Sequence, residues 1–132
     1  MEKNPGIRVL KTRVAKLTMG QDGLTHMILD HKDGLTVDDL KEILSAISTL
    51  TGGEKAIVFS KSLNFKTPSH QVRTVAAAKE SAEVVKAVAT VAANPIIRVA
   101  ANFFLKISKP PFPFKTFTDE KEAILWLKSF QA

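Results

Sequence analysis

Ala56-Ile57-Val58-Phe59-Ser60-Lys61-Ser62-Leu63-Asn64-Phe65-Lys66-Thr67-Pro68-Ser69 says more about the architecture than any other part of the chain. Lys55 to Ser60 is a short apolar run with β-branched and aromatic residues, which reads as a strand buried on both faces. Lys61 to Lys66 reads as a loop. Thr67-Pro68 then reads as a helix N-cap followed by proline at the first helical position, where its missing amide costs nothing. A buried strand that leads through a loop into a helix is half of a βαβ unit, so the chain is predicted to build a mostly parallel sheet.

The sequence before this stretch supplies the preceding helix. Thr36 is a good N-cap, and Asp38 and Asp39 suit the positive end of the helix dipole. Val37, Leu40, Ile43, Leu44, Ile47 and Leu50 follow the spacing of one buried face. Gly52 and Gly53 end the helix by supplying positive φ. Earlier still, residues 7–19 and 24–31 alternate in polarity around Gly20-Gln21-Asp22-Gly23. That pattern predicts an antiparallel hairpin.

After the central stretch, Val72, Val75, Ala76 and Ala82 mark a second helix, and Val84 to Ala92 reads as another buried strand. Asn94-Pro95 repeats the signal of cap plus proline. Ile96, Ile97, Val99, Ala100, Phe103, Phe104 and Ile107 make the third helix strongly apolar, and Pro110-Pro111-Phe112-Pro113 stops it. Phe114 to Phe117 is a last short strand. Thr118 is expected to cap a final helix with Asp119 and Glu120 in its first turn and Ala123, Leu127 and Phe130 inward, joined by Ile124 and Trp126. The expected order is β-β-α-β-α-β-α-β-α: an α/β domain over residues 1–132, with a mixed, mostly parallel sheet of about five strands and four helices.

Composition narrows the function classes. The chain has 132 residues, 45% of them hydrophobic and 24% charged, which suits a single globular domain. Cysteine is absent, which excludes disulfides, thiolate metal sites and cysteine nucleophiles. No apolar run reaches the roughly 18 residues that span a bilayer, and the first residues lack the apolar core of a secretory signal. A cytoplasmic location is expected. The net charge of +6 is uneven: residues 22–54 carry seven acids and two bases, and residues 84–118 carry five bases and no acid. A basic balance favours anionic partners. The bases are dispersed, however, and lack the aromatic interleaving of single-strand binders, so nucleic acid is not the expected partner.

The central stretch, together with the ending Phe117-Thr118-Asp119-Glu120-Lys121-Glu122-Ala123-Ile124-Leu125-Trp126-Leu127, resembles the SpoIIAA-like fold shared by STAS domains and CRAL-TRIO-type lipid-binding domains. The whole pattern, including the Asn94-Pro95 helix and the Lys109-Pro110-Pro111 turn, is similar to a group of uncharacterised bacterial proteins of that fold. In anti-sigma-factor antagonists of the STAS type, the loop before the second helix carries an Asp-Ser pair whose serine is phosphorylated. The corresponding stretch here is Lys66-Thr67-Pro68-Ser69, with Thr67 at the aspartate position and Pro68 at the serine position. The two hydroxyls flank the family's site without matching it.

Thr67 and Ser69 are therefore the candidate phospho-acceptors, with Lys61, Lys66 and Arg73 as candidate anion-binding groups. The plainer role for Thr67 is a helix cap. His26, His31 and His70 are too sparse for a dedicated metal site. No nucleophile-base-orienter set and no glycine-rich phosphate loop is visible, so no catalytic residue, metal or cofactor is expected. Phe103, Phe104 and Phe112 are candidate interface residues, because the third helix is more apolar than one buried face needs. The expected function is a non-enzymatic binding or regulatory module acting through protein contacts, as a homodimer whose further partner the sequence does not name. The alternative is a small-molecule or lipid carrier of the CRAL-TRIO type, which requires an apolar cavity of several hundred Å³ behind the third helix.

Overall fold

The computed structural model describes residues 9–30, 34–64, 69–76, 78–92, 94–108 and 110–131. Among these residues the chain forms six strands and five helices: β1 Val9–Lys11, β2 Ala15–Met19, β3 Thr25–Asp30, α1 Val37–Thr51, β4 Ala56–Asn64, α2 His70–Ala76, α3 Lys79–Val84, β5 Val85–Val91, α4 Pro95–Ser108, β6 Phe114–Phe117 and α5 Glu120–Lys128. The sheet runs β1-β2-β3-β4-β5-β6 in simple sequence order. β1, β2 and β3 pair antiparallel, and β3 to β6 pair parallel. The α/β class and the mixed sheet agree with the sequence reading, while the strand and helix counts are each one higher.

Both extra elements come from local hydrogen bonds that leave no glycine or proline mark. The stretch 7–19, read as one arm of a hairpin, divides at Thr12. The Thr12 hydroxyl accepts from the amides of Val14 at 3.3 Å and Ala15 at 3.1 Å, and its own amide donates to the Ala15 carbonyl at 2.8 Å. That turn folds β1 back along β2. The second helix breaks at Ala78, whose extended backbone (ψ 156°) interrupts the helical path. The buried Ser81 hydroxyl then ties α3 to the end of α2 by donating to the Val75 carbonyl at 3.1 Å.

Three boundaries also move. β4 continues through Asn64, so Lys61 to Asn64 is strand and not loop. α2 begins at His70, and the Ser69 hydroxyl accepts from the Val72 amide at 3.2 Å. Ser69 therefore caps α2, and the Thr67-Pro68 pair of the sequence reading lies outside the described residues. α5 is capped by Asp119, whose carboxylate accepts from the Lys121 amide at 3.1 Å, so Thr118 is not its cap. A carboxylate at that position also complements the helix dipole.

Three parallel crossovers that step the same way through the sheet lay their helices on one face when each takes the usual right hand. The packing agrees. Ile43, Ile47 and Leu50 of α1 form one core with Leu17, Val58, Val85 and Val88. The opposite face of the sheet gives a second core, where Ala123 and Leu127 of α5 meet Ile57, Phe59, Ala87 and Ala89. The alternation of Val58 and Ile57 to opposite cores is the period of two that a strand imposes.

Candidate functional site

The site lies on the helix-rich face, and two rows of side chains across the parallel strands define its floor. Val58, Val88 and Phe114 are register partners on β4, β5 and β6. One pleat further along, Met27, Ser60, Thr90 and Thr116 form the next row. Leu29 and Ser62 follow on β3 and β4. The floor therefore changes from apolar to hydroxyl-bearing toward the carboxyl ends of the parallel strands.

Above this floor is a cavity of about 170 Å³. Leu40, Ile43, Leu44 and Ile47 of α1 wall it on one side, with Val72 and Ala76 of α2 and Ser81 of α3 opposite. Phe112 and Phe114 close another side, their rings stacked at 6.5 Å between centroids and 22° between planes. Ser60 is 2% exposed and Thr90 7% exposed, so both residues are buried in the cavity floor. The Thr116 hydroxyl donates to Asn102 of α4 at 2.7 Å. The volume is smaller than the several hundred Å³ set for a carrier of the CRAL-TRIO type.

The charged groups lie elsewhere. Asp39 is buried at the start of α1, where it completes a capping box with Thr36. Arg13 Nε donates to Asp39 Oδ1 at 2.9 Å, and a second guanidinium nitrogen pairs with Oδ2. The Arg13 hydrogen bond holds the Asp39 carboxyl down at about 2, outweighing the opposing effect of burial. His26 Nε2 lies 3.1 Å and 3.2 Å from the two Asp22 oxygens, and its ring meets Phe59 edge-on. Among the described residues no group of three potential metal ligands converges. No helix among them is long and apolar enough to cross a membrane.

Of the candidate phospho-acceptor and anion-binding side chains of the sequence, Lys61 and Ser69 are described, and they lie on opposite faces of the sheet. Lys61 projects to the α5 face, where its Nζ pairs with Glu120 at 2.6 Å. Ser69 belongs to the helix layer on the other face and caps α2. Lys66 and Thr67 lie outside the described residues, as do the side chains of Arg73, Phe103 and Phe104. Phe112 is half-buried at the cavity wall. Sequence reasoning missed Ser60, Thr90 and Ser62. The signal available for them was hydroxyls in otherwise apolar strands, at positions that β4 and β5 bring level.

No curated protein matches the chain. Among solved structures, the chain is similar to a crystal structure at 2.20 Å of a protein with unknown function from Arthrobacter sp. FB24. The identity is 27% and the TM-score 0.30, over 85% of this chain and 97% of that one. Residues 18–131 match the model of a family described as a domain of unknown function, DUF7793, and the chain belongs to that family.

Proposed function

We propose that the protein is a non-enzymatic binding or regulatory module of STAS-like fold, working in the cytoplasm through protein contacts. The first of these contacts is with a second copy of itself, on the outer face of α4. One observation carries this reading. Ile96 and Val99 stand one turn apart on that helix, 79% and 67% exposed. Residues at i and i+3 share a helix face, so the two side chains form one apolar stripe. Exposed apolar stripes on soluble domains mark interaction surfaces, and a two-fold copy of the same surface is the commonest cover. The unbroken β-α succession from β3 to α5 supports the STAS-like assignment.

Sedimentation equilibrium of the full chain at micromolar concentration tests it. The expected mass is twice the 14.4 kDa of one chain. Val99→Glu, which places a charge in the stripe without entering either core, is expected to return the protein to 14.4 kDa with its circular dichroism unchanged. A wild-type monomer, or a dimer indifferent to Val99→Glu and Ile96→Glu, refutes the reading.

A further inference from the structure

We infer that the cavity between the sheet and α1–α3 is a binding site for a small, neutral, mainly apolar molecule carrying one hydrogen-bonding group. The inference stands apart from self-association through α4 and is tested separately. Size comes first. The cavity of 170 Å³, partly open to solvent, is close in volume to the engineered apolar cavities of about 150 Å³ that take up benzene. Water against its apolar wall gains little, because each molecule needs two to four polar partners. Leu40, Leu44, Val58 and Val88 offer none, so an apolar body of roughly six to eight non-hydrogen atoms fits the wall better.

The polar group follows from the floor. The hydroxyls of Ser60 and Thr90 are register partners at the hydroxyl-bearing end of the cavity. Both residues are more than nine-tenths buried. Both line the cavity, whereas the Ser81 hydroxyl in the same lining is already bonded to Val75. A ligand hydroxyl or carbonyl placed at that end can hydrogen-bond to them. Charge selects further. No charged residue is among the described lining residues, so a carboxylate or ammonium would lose its hydration without compensation. The site therefore takes an alcohol, ketone or phenol in preference to an acid or amine of the same length.

The experiment titrates the full, methyl-labelled chain with 1-hexanol, hexanoate and hexane, followed by carbon-proton NMR. The expected result is saturable shifts confined to the methyls of Leu40, Leu44, Val58 and Val88 with 1-hexanol. Hexanoate is expected to bind at least tenfold more weakly. Thr90→Val is expected to weaken 1-hexanol severalfold and leave hexane unchanged, which a merely packing role for Thr90 would not do. Ala76→Phe, which fills the cavity from α2, is expected to abolish binding of both. Should that variant fail to fold, xenon shifts on the wild-type chain report the same volume directly. Shifts that never saturate, hexanoate binding as tightly as 1-hexanol, or no xenon response at these methyls overturns the inference. None of these outcomes depends on whether the chain is a dimer.

Discussion

Replacing Asp39 by asparagine removes the charge of a buried carboxylate that Arg13 and Thr36 hold in place. Asp39 is 3% exposed and accepts hydrogen bonds from Arg13 and from the Thr36 amide, the latter at 2.9 Å. Its carboxyl is held from 3.8 down to about 2, with the Arg13 hydrogen bond as the largest cause. That gap, at about 1.4 kcal/mol per pH unit, corresponds to about 2.5 kcal/mol of folding stability. The Arg13 side chain is 53% exposed, so solvent screens part of this and about 2 kcal/mol is the expected figure. The sign follows from the direction. A carboxyl whose folded value is depressed stabilises the fold above its unfolded value near 3.8, and that contribution is lost as pH falls through about 2. The Asp39→Asn side chain keeps an acceptor for the Thr36 amide, but it loses the charge and turns its amide nitrogen, a donor, toward the Arg13 Nε that donates to Oδ1. Urea unfolding of both proteins at pH 7, 4 and 2.5 is expected to show a gap of about 2 kcal/mol at pH 7 that narrows steadily on acidification. A gap under about 0.5 kcal/mol at pH 7, or one that does not change with pH, refutes the assignment.

Two further changes probe the fold at points where the structure is specific. Thr25 is fully buried at the start of β3, and its hydroxyl has no hydrogen-bond partner among the described residues, so Thr25→Val is expected to stabilise the protein by about 1 kcal/mol in urea unfolding. A loss of stability would mean that the hydroxyl is satisfied. Gly52 closes α1 at φ 67°, and a Cβ there would meet nothing within 4 Å. Gly52→Ala is therefore expected to cost about 1 kcal/mol through backbone conformation alone, read as a lowered denaturation midpoint with an unchanged slope.

Sequence signals that depend on one residue type or one period were readable. Thr36 caps α1 and Gly52 ends it, Asn94 caps α4 by accepting from the Ile96 amide at 2.8 Å, and the turn from Gly20 to Gly23 joins β2 to β3. Signals that depend on two distant residues were not. Asp39 reads as a helix-dipole partner until Arg13, 26 positions earlier, is brought beside it. The Thr12 turn and the break at Ala78 use an ordinary threonine and an alanine within an alanine run, so nothing in composition marks them. The cavity is the strongest case. Ser60 and Thr90 are 30 positions apart and become neighbours only through the register of β4 with β5. A list of site residues drawn from loops and caps could not have contained them.

The same topology accounts for where the surface is left open. With the crossover helices all on one face, α5 is the only described helix that covers the other. It reaches β4, β5 and β6, and its Glu120 meets Lys61 of β4 at the boundary. Beyond that boundary the register puts Val9, Thr18 and His26 in one row and Lys11, Lys16 and Ile28 in the next. Lysine on both edge-side strands fits a sheet face in contact with water, and so does the exposure of Val9 and Ile28 at 45% and 41%. The polar half of the hairpin alternation is therefore a consequence of chain order: strands laid down before the first crossover have no later helix to cover their second face. That leaves α1 to bury Ala15 and Leu17 from the other side, through Ile43, Ile47 and Leu50.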